Sequence, residues 1–496
     1  MPQRIFLDRA LSWRQVNEVA EGAALELSDG ARARIRTART LVDSIVAKAI
    51  RAYGVNTGVG ALCDVVIPAA KQAQLSRNIV MSHAVGVGAP LEPVAVRAIL
   101  AAAVNNYSLG YSGVRPQVVD TLLALLEHDC MPEVPALGSV GYLSHMAHIA
   151  LVLLGEGTVQ SHGRRLSGAE ALQSMRLAPL VLLAKEGLSL VNGTPCATGL
   201  SALALGRVQR VLDWADIVAA MTFENLRGQV QVFDAESLEL RVSAGVREVG
   251  GRLRRALSGS AILRQSAGLR TQDPLSLRAV PQVHGAARDL FANAGRAVDE
   301  ELASVTDNPA VTGSAEEPRA LSGAHAVGAS LGLTVDSLAI AVAEVAAMSE
   351  RRLDRLVNPL VSGLPAFLAM DEGAGSGFMI AQYTAVSLVA HNRRLAAPAS
   401  LDGGVTSGLQ EDHLAHATPG ALKLLQIIGN AQIILAIELL AAAQAYELQR
   451  DSLARAARTD AVYRRVRTLV PQFRDDRPLS GDIAIALRIL EGAGPD

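Results

Sequence analysis

Aromatic residues, cysteines and net charge are all scarce in this chain of 496 residues. Aromatics make up only 3% of it while half is apolar, and a composition rich in Ala, Leu and Val favours packed helices over sheets. The net charge of −2 provides no strong field for nucleic acid or a membrane surface. The cysteines Cys63, Cys130 and Cys196 follow neither metal-ligand nor disulfide spacing, which indicates a reducing compartment.

A phosphate-binding loop is also absent, and the histidines lack the spacing of metal ligands. The sequence therefore favours neither a nucleotide-binding protein nor a metalloenzyme, and we predict no metal site. The N-terminal run MPQRIFLDRALSW has the features of neither a signal peptide nor a transit peptide. We expect a soluble, cytoplasmic protein that binds neither nucleic acid nor membrane.

One stretch, residues 424–445, is apolar enough to suggest a membrane span. It carries Gln426, Asn430 and Glu438 at different helical angles, which lipid would penalise. A helix that is apolar nearly all round is better explained as the centre of a helical bundle or oligomer.

Two parts are predicted from the spacing of glycine. Residues 1–197 form an N-terminal domain in which short helices alternate with glycine-rich loops, such as 53–60 and 82–90. Residues 198–496 form an elongated helical bundle. Its long helices are predicted at 199–221, 328–352, 377–397 and 421–450, followed by a helical cap at 451–496.

Several runs along the chain combine glycine with side chains suited to acid–base chemistry. They are YGVNTGVG (53–60), NIVMSHAVGVG (78–88), EVPALGSVGYLSHMAHIALVLLGEG (133–157), EGLSLVNGTPCATG (186–199), QDPLSLR (272–278), SGAHAVG (322–328) and LQEDHLAHA (409–417). In this order they resemble the active-site segments of the aromatic amino-acid ammonia-lyases and aminomutases, the histidine ammonia-lyase family. The resemblance extends from about residue 44 to about residue 430. It implies a mainly α, long-helix bundle of the histidine ammonia-lyase/fumarase–aspartase type, and a homotetramer whose active sites are shared between subunits.

The family's electrophile is the main point of departure. In the family, Ala-Ser-Gly stands between the Gly-Ser-Val-Gly and Leu-x-x-x-Ala-His runs and cyclises to methylideneimidazolone (MIO). Here Gly141 is followed directly by Tyr142, and Ala-Ser-Gly occurs nowhere in the chain. Two explanations are open. The matured ring is one non-standard residue without a one-letter code and is therefore missing from the one-letter sequence, or the chain lacks it. Both flanks are preserved, although the numbering is unbroken, and we expect the ring between Gly141 and Tyr142.

The resemblance assigns roles to three residues near the N-terminus. Tyr53 matches a tyrosine on a mobile lid that takes part in proton transfer. His83 matches a position that faces the substrate ring, and Asn192 matches the asparagine that contacts substrate near the prosthetic group. From residue type alone, each also fits a structural role, as a buried phenol, a core histidine and a turn residue respectively.

Arg278 is the carboxylate clamp by resemblance, since a planar guanidinium gives a carboxylate two parallel hydrogen bonds. Gln272 is expected to support it. Leu275 stands where the family has the tyrosine usually assigned as the base, and leucine cannot take a proton. Tyr142 stands where an aspartate usually follows the tripeptide. We hypothesise that a phenol from Tyr142 or Tyr53 takes over part of the lost role.

Two further segments bear on the substrate. In SGAHAVG, His325 replaces an asparagine of the family and Ala326 replaces a phenylalanine, so Ala326 would enlarge the pocket. His325 either contacts the ligand or only packs in place of that asparagine. Glu411 matches the Gln-Glu-Asp-His run of histidine-type members, where its carboxylate can accept the N–H of an imidazole.

The favoured interpretation is an MIO-dependent carbon–nitrogen lyase that converts histidine to urocanate and ammonia. Three enzyme alternatives remain: a 2,3-aminomutase, a tyrosine or phenylalanine ammonia-lyase, and a ring-free lyase that releases a quaternary amine from a histidine-like betaine. A non-catalytic homologue that binds an amino acid is the fourth.

Overall fold

Helices dominate the structure, a computed structural model that describes residues 3–371, 373–492 and 494–495. They account for 61% of the chain, and the strands are few and short. The prediction of a mainly α fold of long helices is therefore confirmed.

The chain divides into two compact units. The first comprises Met1–Gly206, Ala294–Asp336 and Pro398–Leu422, and the second Arg207–Asn293, Ser337–Ala397 and Lys423–Asp496. Each unit is therefore assembled from three stretches of sequence, because later segments return to pack with earlier ones. The predicted organisation into residues 1–197 and 198–496 stays a prediction about the sequence.

The first unit combines short helices with small sheets. Its helices are α1 (Trp13–Ala20), α2 (Asp29–Ala47), α3 (Ala69–His83), α4 (Pro93–Ser108), α5 (Pro116–Glu127), α6 (Ser144–Leu153), α7 (Gly168–Ser174) and α8 (Glu186–Val191). Its strands are β1 (Arg4–Leu7), β2 (Ala24–Leu27), β3 (Val87–Pro90), β4 (Cys130–Pro132), β5 (Pro135–Leu137), β6 (Thr158–Ser161), β7 (Arg164–Ser167), β8 (Ala310–Gly313) and β9 (Pro318–Leu321). β1 pairs with β2 in parallel; β3–β5, β4–β6–β7 and β8–β9 are antiparallel.

Four long helices continue from one unit into the other. They are α9 (Pro195–Asn225), α14 (Val280–Leu302), α15 (Ala329–Val357) and α18 (Ala417–Glu447). The remaining helices belong to the second unit: α10 (Ala235–Glu239), α11 (Ala244–Leu257), α12 (Ala261–Ser266), α13 (Leu275–Arg278), α16 (Pro359–Ser362), α17 (Met379–Leu395), α19 (Ala457–Leu469) and α20 (Leu479–Glu491).

The long helices predicted from periodicity correspond to α9, α15, α17 and α18, with ends that differ by a few residues. The strands of the first unit were not predicted. They are three or four residues long, which is too short for an alternating pattern to stand out. Residues 310–321 contain the β8–β9 hairpin, whose register joins Ala310 to Leu321.

Three helical stretches, Glu186–Asn225, Ala329–Val357 and Ala417–Glu447, are long and apolar enough to cross a membrane. Their most apolar windows are 100%, 61% and 72% buried within the protein. In α18, Glu438 is fully buried and paired with Arg352 of α15 at 2.6 Å. A buried ion pair within protein, rather than lipid, satisfies this charge, in keeping with the predicted bundle centre.

Candidate active site

One carboxylate, two phenols and an imidazole come together in the first unit. Tyr142 lies within electrostatic range of the half-buried Glu411 side chain. Tyr53 and His83 lie within electrostatic range of the same carboxylate. These four residues come from four separate segments of the sequence, so the fold gathers them around Glu411.

The surroundings of these residues shift the pKa values of both phenols. Burial, together with the charge of Glu411, raises the pKa of Tyr142 to about 12. Burial also raises the pKa of Tyr53, against the opposing effect of the Gly60 N–H, which donates to its hydroxyl oxygen at 3.3 Å. Both phenols are therefore protonated at neutral pH and can act as hydrogen-bond donors.

His83 ends helix α3, and burial lowers the pKa of its imidazole, partly opposed by the Ile79 carbonyl and by Glu411. The ring is therefore mainly neutral at pH 7. It borders a cavity of about 580 Å³ whose other lining is mostly apolar, including Leu62 and Ile79. A pocket with apolar walls and a few polar groups is the usual form of a small-molecule site.

The loop that carries Tyr53 depends on a glycine. Gly54 has φ +60°, and a Cβ there would lie 2.1 Å from Leu188 Cδ2 of α8. Only glycine avoids both the strained conformation and the clash. This close approach fixes the start of the loop, next to Tyr53.

The segment around Gly141 is anchored by backbone hydrogen bonds. The Gly141 N–H donates to Ser139 Oγ at 3.1 Å, and its carbonyl accepts from Thr418 Oγ1 at 2.9 Å. The His416 N–H donates to the Val140 carbonyl at 2.9 Å. Residues 416–418 therefore fix the end of the Gly-Ser-Val-Gly run.

The turn that follows is strained. Leu143 has φ 76° and ψ −77°, and the Ser144 N–H donates to the Tyr142 carbonyl at 3.2 Å. This is a γ-turn of the rare form, which costs on the order of 1–3 kcal/mol for a residue with a side chain. The direct junction of Gly141 with Tyr142 thus brings two preserved flanks together through an unfavourable turn.

The residues present do not supply the MIO precursor, because Ala-Ser-Gly is absent from the 496 residues. The strain at Leu143 is the feature of the structure that bears on this disagreement. Flanks shaped to hold a further residue between Gly141 and Tyr142 would account for this strain.

Asn192 ends helix α8 and is 6% exposed. Its Nδ2 donates to the Asn308 carbonyl at 2.6 Å. The neighbouring Asp307 accepts from the fully buried Lys185 Nζ at 3.0 Å. This ion pair fixes the residues that hold the Asn192 amide.

Three predicted residues lie in the second unit. Arg278 ends helix α13, and with the Gln272 amide turned so that both groups are satisfied, the Gln272 oxygen accepts from Arg278 Nε at 3.0 Å and Nη1 at 2.6 Å. Gln272 therefore contacts Arg278, and the roles predicted for both residues stay predictions. Leu275 begins the same helix, and 62% of it is exposed.

The segment that contains His325 and Ala326 is in the first unit, just before α15. His325 is exposed and Ala326 is 8% exposed. The roles predicted for both residues stay predictions.

Three positioning contacts were not foreseen from the sequence. Thr406 Oγ1 donates to Glu411 Oε2 at 2.9 Å, Thr418 holds Gly141, and His148 Nε2 accepts from the Gly86 N–H at 3.0 Å, just after His83. His148 belongs to the Leu-x-x-x-Ala-His run and could have been found there. The two threonines lie just outside the run at 409–417 and carry no sequence signal of their own.

Comparison with known proteins gives the family. A family model described as aromatic amino acid lyase matches residues 11–468. The chain belongs to this family. A histidine ammonia-lyase from Deinococcus radiodurans is 44% identical over 485 residues, which cover 97% of this chain and 92% of that protein.

Solved structures of the family resemble the fold closely. Histidine ammonia-lyase from Trypanosoma cruzi has a TM-score of 0.91 at 35% identity, covering 99% of this chain and 93% of that one. Tyrosine aminomutase from Streptomyces globisporus has a TM-score of 0.92 at 33% identity, covering 99% and 97%. The predicted family, and with it a carbon–nitrogen lyase, is confirmed.

Proposed function

We propose that this aromatic amino acid lyase is a histidine ammonia-lyase that converts histidine to urocanate and ammonia. The observation that carries the proposal is the Glu411 carboxylate, which lies within electrostatic range of two phenols and of His83. His83 in turn borders a largely apolar cavity. An imidazole substrate has an N–H that such a carboxylate can accept. The identity of 44% to a protein named histidine ammonia-lyase supports the same substrate.

In the elimination the Cα–N bond breaks with its electron pair leaving on ammonia, a β-hydrogen leaves as a proton, and a Cα–Cβ double bond forms. We assign Arg278 to the substrate carboxylate, because a guanidinium can bind it through two parallel hydrogen bonds. Asn192 would support the reacting end through its amide. His83 and Glu411 would contact the ring, and the clamped geometry would direct the β C–H toward the base.

The base is the least usual part of the site, because Leu275 cannot take a proton. We propose that Tyr53 or Tyr142 fills part of this role. Since the pKa of each phenol is raised, each must pass on its own proton before it can take another. Turnover measured for Tyr53→Phe and Tyr142→Phe tests the assignment, and an unchanged kcat in both would refute it.

Ammonia is a poor leaving group, and none of these side chains is a strong electrophile. The family's MIO ring supplies that electrophilic chemistry, and we propose that it lies between Gly141 and Tyr142, formed from Ala-Ser-Gly. Intact-protein mass tests this directly. The ring is supported if the measured mass exceeds that of the 496 residues by the residue masses of Ala, Ser and Gly less two waters. The mass of the 496 residues alone refutes it.

We also propose a soluble, cytoplasmic homotetramer. Helix α17 exposes an apolar stripe made of Ile380 (59%), Tyr383 (66%) and Val386 (45%), and exposed apolar patches of this kind mark protein interfaces. Light scattering tests the assembly, and a monomer at micromolar concentration would refute it.

A substrate panel tests the function. Histidine, tyrosine, phenylalanine and the betaine of histidine are each followed by the ultraviolet absorbance of the conjugated acid. We expect histidine to be turned over fastest. A β-amino acid product would indicate an aminomutase, and trimethylamine release from the betaine alone would indicate the ring-free reaction; either result would replace the proposal.

A further inference from the structure

Asn308 accepts two hydrogen bonds that come from different segments of the candidate site. Its main-chain carbonyl accepts from Asn192 Nδ2 at 2.6 Å, and its side-chain Oδ1 accepts from the Gly323 N–H at 2.8 Å. Asn192 is the residue assigned above to the reacting end of the substrate. Gly323 belongs to the segment 322–328, which carries the two residues predicted to line the pocket. One residue therefore links two of the segments that the family resemblance places at the substrate.

The two residues before Asn308 are anchored in the interior of the first unit. Asp307 is fully buried and accepts from the fully buried Lys185 Nζ at 3.0 Å. Thr306 Oγ1 donates to the buried Asn106 Oδ1 at 3.1 Å. Because both preceding residues are held by buried partners, the main chain at Asn308 has a fixed position from which it can orient other groups.

The bond to the Asn308 carbonyl determines how the Asn192 amide is turned. A carbonyl oxygen can only accept, so the NH2 group of Asn192 must face it rather than the amide oxygen. The side chain has little room to turn over, since Asn192 is only 6% exposed. This bond uses one N–H of the amide, and the second N–H can therefore be directed at the substrate carboxylate.

The segment 322–328 begins at the protein surface. Residues 322–325 are exposed, and the Val327 N–H donates to the Ala324 carbonyl within the segment at 3.0 Å. An exposed stretch with local hydrogen bonds opens easily. The bond to Asn308 ties this stretch to a part of the chain that is anchored inside.

We propose that Asn308 is a positioning residue whose side chain holds the segment 322–328 at a fixed distance from the Asn192 amide. This inference rests on the proposed function and deepens it. Asn192 is assigned to the reacting end of the substrate and the segment to the pocket for its ring. Asn308 sets the spacing between these two parts of the site and thereby helps to select the aromatic ring that the site accepts.

Asn308→Ala tests the role, because it removes the side-chain acceptor and leaves the main-chain carbonyl in place. We expect KM for histidine to rise about 3- to 10-fold, the effect of losing about one hydrogen bond, with kcat changed less than about 2-fold. Asn308→Asp keeps an acceptor oxygen of the same reach, so its KM should stay within about 2-fold of wild type. Steady-state kinetics of the three proteins measures both effects.

The chain offers a matched control in Asn358, which precedes helix α16. Like Asn308, it is half-buried and followed by proline, and its Oδ1 accepts from a main-chain N–H, that of Leu360, at 3.0 Å. Asn358→Ala therefore removes the same kind of hydrogen bond, and we expect it to leave KM for histidine unchanged. Equal rises of KM in the two alanine variants would indicate a general effect on the fold and would overturn the inference.

Three further outcomes would also overturn it. They are an unchanged KM in Asn308→Ala, a fall in its kcat with KM unchanged, and an Asn308→Asp variant that is as impaired as Asn308→Ala. Should Asn308→Ala fail to fold, Asn308→Leu replaces it with the same expected results, because leucine keeps the volume of the side chain and removes the acceptor.

Hydrogen exchange separates this inference from the proposed function, since it requires no turnover. Mass spectrometry of peptides that cover residues 322–328 should show exchange about 3- to 10-fold faster in Asn308→Ala than in wild type, and unchanged in Asn358→Ala. If wild type does not convert histidine, the proposed function fails, and faster exchange in Asn308→Ala would still support Asn308 as the residue that places the segment. Equal exchange in wild type and Asn308→Ala would refute the inference.

Discussion

Two regions of this protein collect ionisable groups, and they treat them differently. In the first unit, Glu411 lies half-buried in a loop among Tyr53, His83 and Tyr142. In the second unit, Glu438 lies fully buried on a long helix and is paired with Arg352. A half-buried carboxylate on a loop keeps access to a ligand, whereas a carboxylate that is fully hydrogen-bonded inside helices contributes to the stability of the folded state.

The Glu438 carboxylate of the second unit is fully hydrogen-bonded. Glu438 accepts from Arg352 Nε at 2.6 Å and Nη2 at 2.9 Å, from Thr222 Oγ1 at 2.8 Å and from Ser349 Oγ at 2.5 Å. In the same unit, Asp216 accepts from Arg288 Nη2 at 2.6 Å. A carboxylate that already accepts four hydrogen bonds has no free lone pair for a substrate. We therefore expect Glu438 to contribute to the stability of the fold.

The largest effect is expected from breaking the buried pair. Glu438→Gln leaves the Arg352 charge buried without its counter-charge, which should lower the free energy of unfolding by about 3–5 kcal/mol. Denaturant unfolding measures this. The control is Glu26→Gln, whose partner Arg4 is 62% exposed and whose loss should cost about 0–1 kcal/mol. Equal stabilities of the two variants would contradict the comparison.

Next comes the loss of the accessible carboxylate. Glu411→Gln should lower kcat/KM for histidine about 10- to 100-fold, because it removes a charge-assisted hydrogen bond to the substrate. Its unfolding free energy should change by less than about 0.5 kcal/mol. Steady-state kinetics and denaturant unfolding together check both statements. A variant that is destabilised yet equally active would reverse the roles of the two regions.

A smaller effect is expected at the predicted carboxylate clamp. Arg278→Lys keeps the charge but loses one of two parallel hydrogen bonds, so KM for histidine should rise about 10-fold. The control is Arg264→Lys, an exposed arginine of α12, with no expected change. If the two variants have the same KM, Arg278 is not the clamp.

The smallest effect is a shift in titration. Tyr142 has a pKa raised to about 12 by burial and by Glu411, so its hydroxyl stays protonated until the pH approaches that value. Glu411→Gln removes the negative charge that opposes the phenolate, and the pKa should fall toward 10 without reaching it, since burial remains. The tyrosinate absorbance is titrated in proteins with Tyr142 and with Tyr142→Phe, and the difference between the two curves belongs to Tyr142. The same pair of titrations in the Glu411→Gln background gives the shift in its pKa. If Tyr142 titrates at the same pH with Glu411 and with Glu411→Gln, the two residues do not interact.

Much of the fold was accessible from the sequence because long helices repeat their pattern many times. Helices α9, α15, α17 and α18 each present several turns of apolar periodicity. The short strands do not, and neither does the return of residues 294–336 and 398–422 to the first unit, which depends on contacts between residues far apart in sequence.

The site was accessible mainly through family resemblance. Motifs identified Tyr53, His83, Asn192 and Glu411 as candidates, but no pattern in the sequence indicates that Tyr142 lies within electrostatic range of Glu411. Tyr142 and Glu411 are far apart in sequence and both lie outside helices and strands, where no periodicity constrains the geometry. The strained turn at Leu143 likewise becomes visible only once backbone angles are known.

The most direct test of the central claim is the stoichiometry of products from histidine. Urocanate is followed by its ultraviolet absorbance, and ammonia is measured in the same sample. The account predicts equal amounts of the two, formed at rates that Glu411→Gln strongly reduces. Consumption of histidine without ammonia, or no consumption by a folded protein of verified mass, would contradict it.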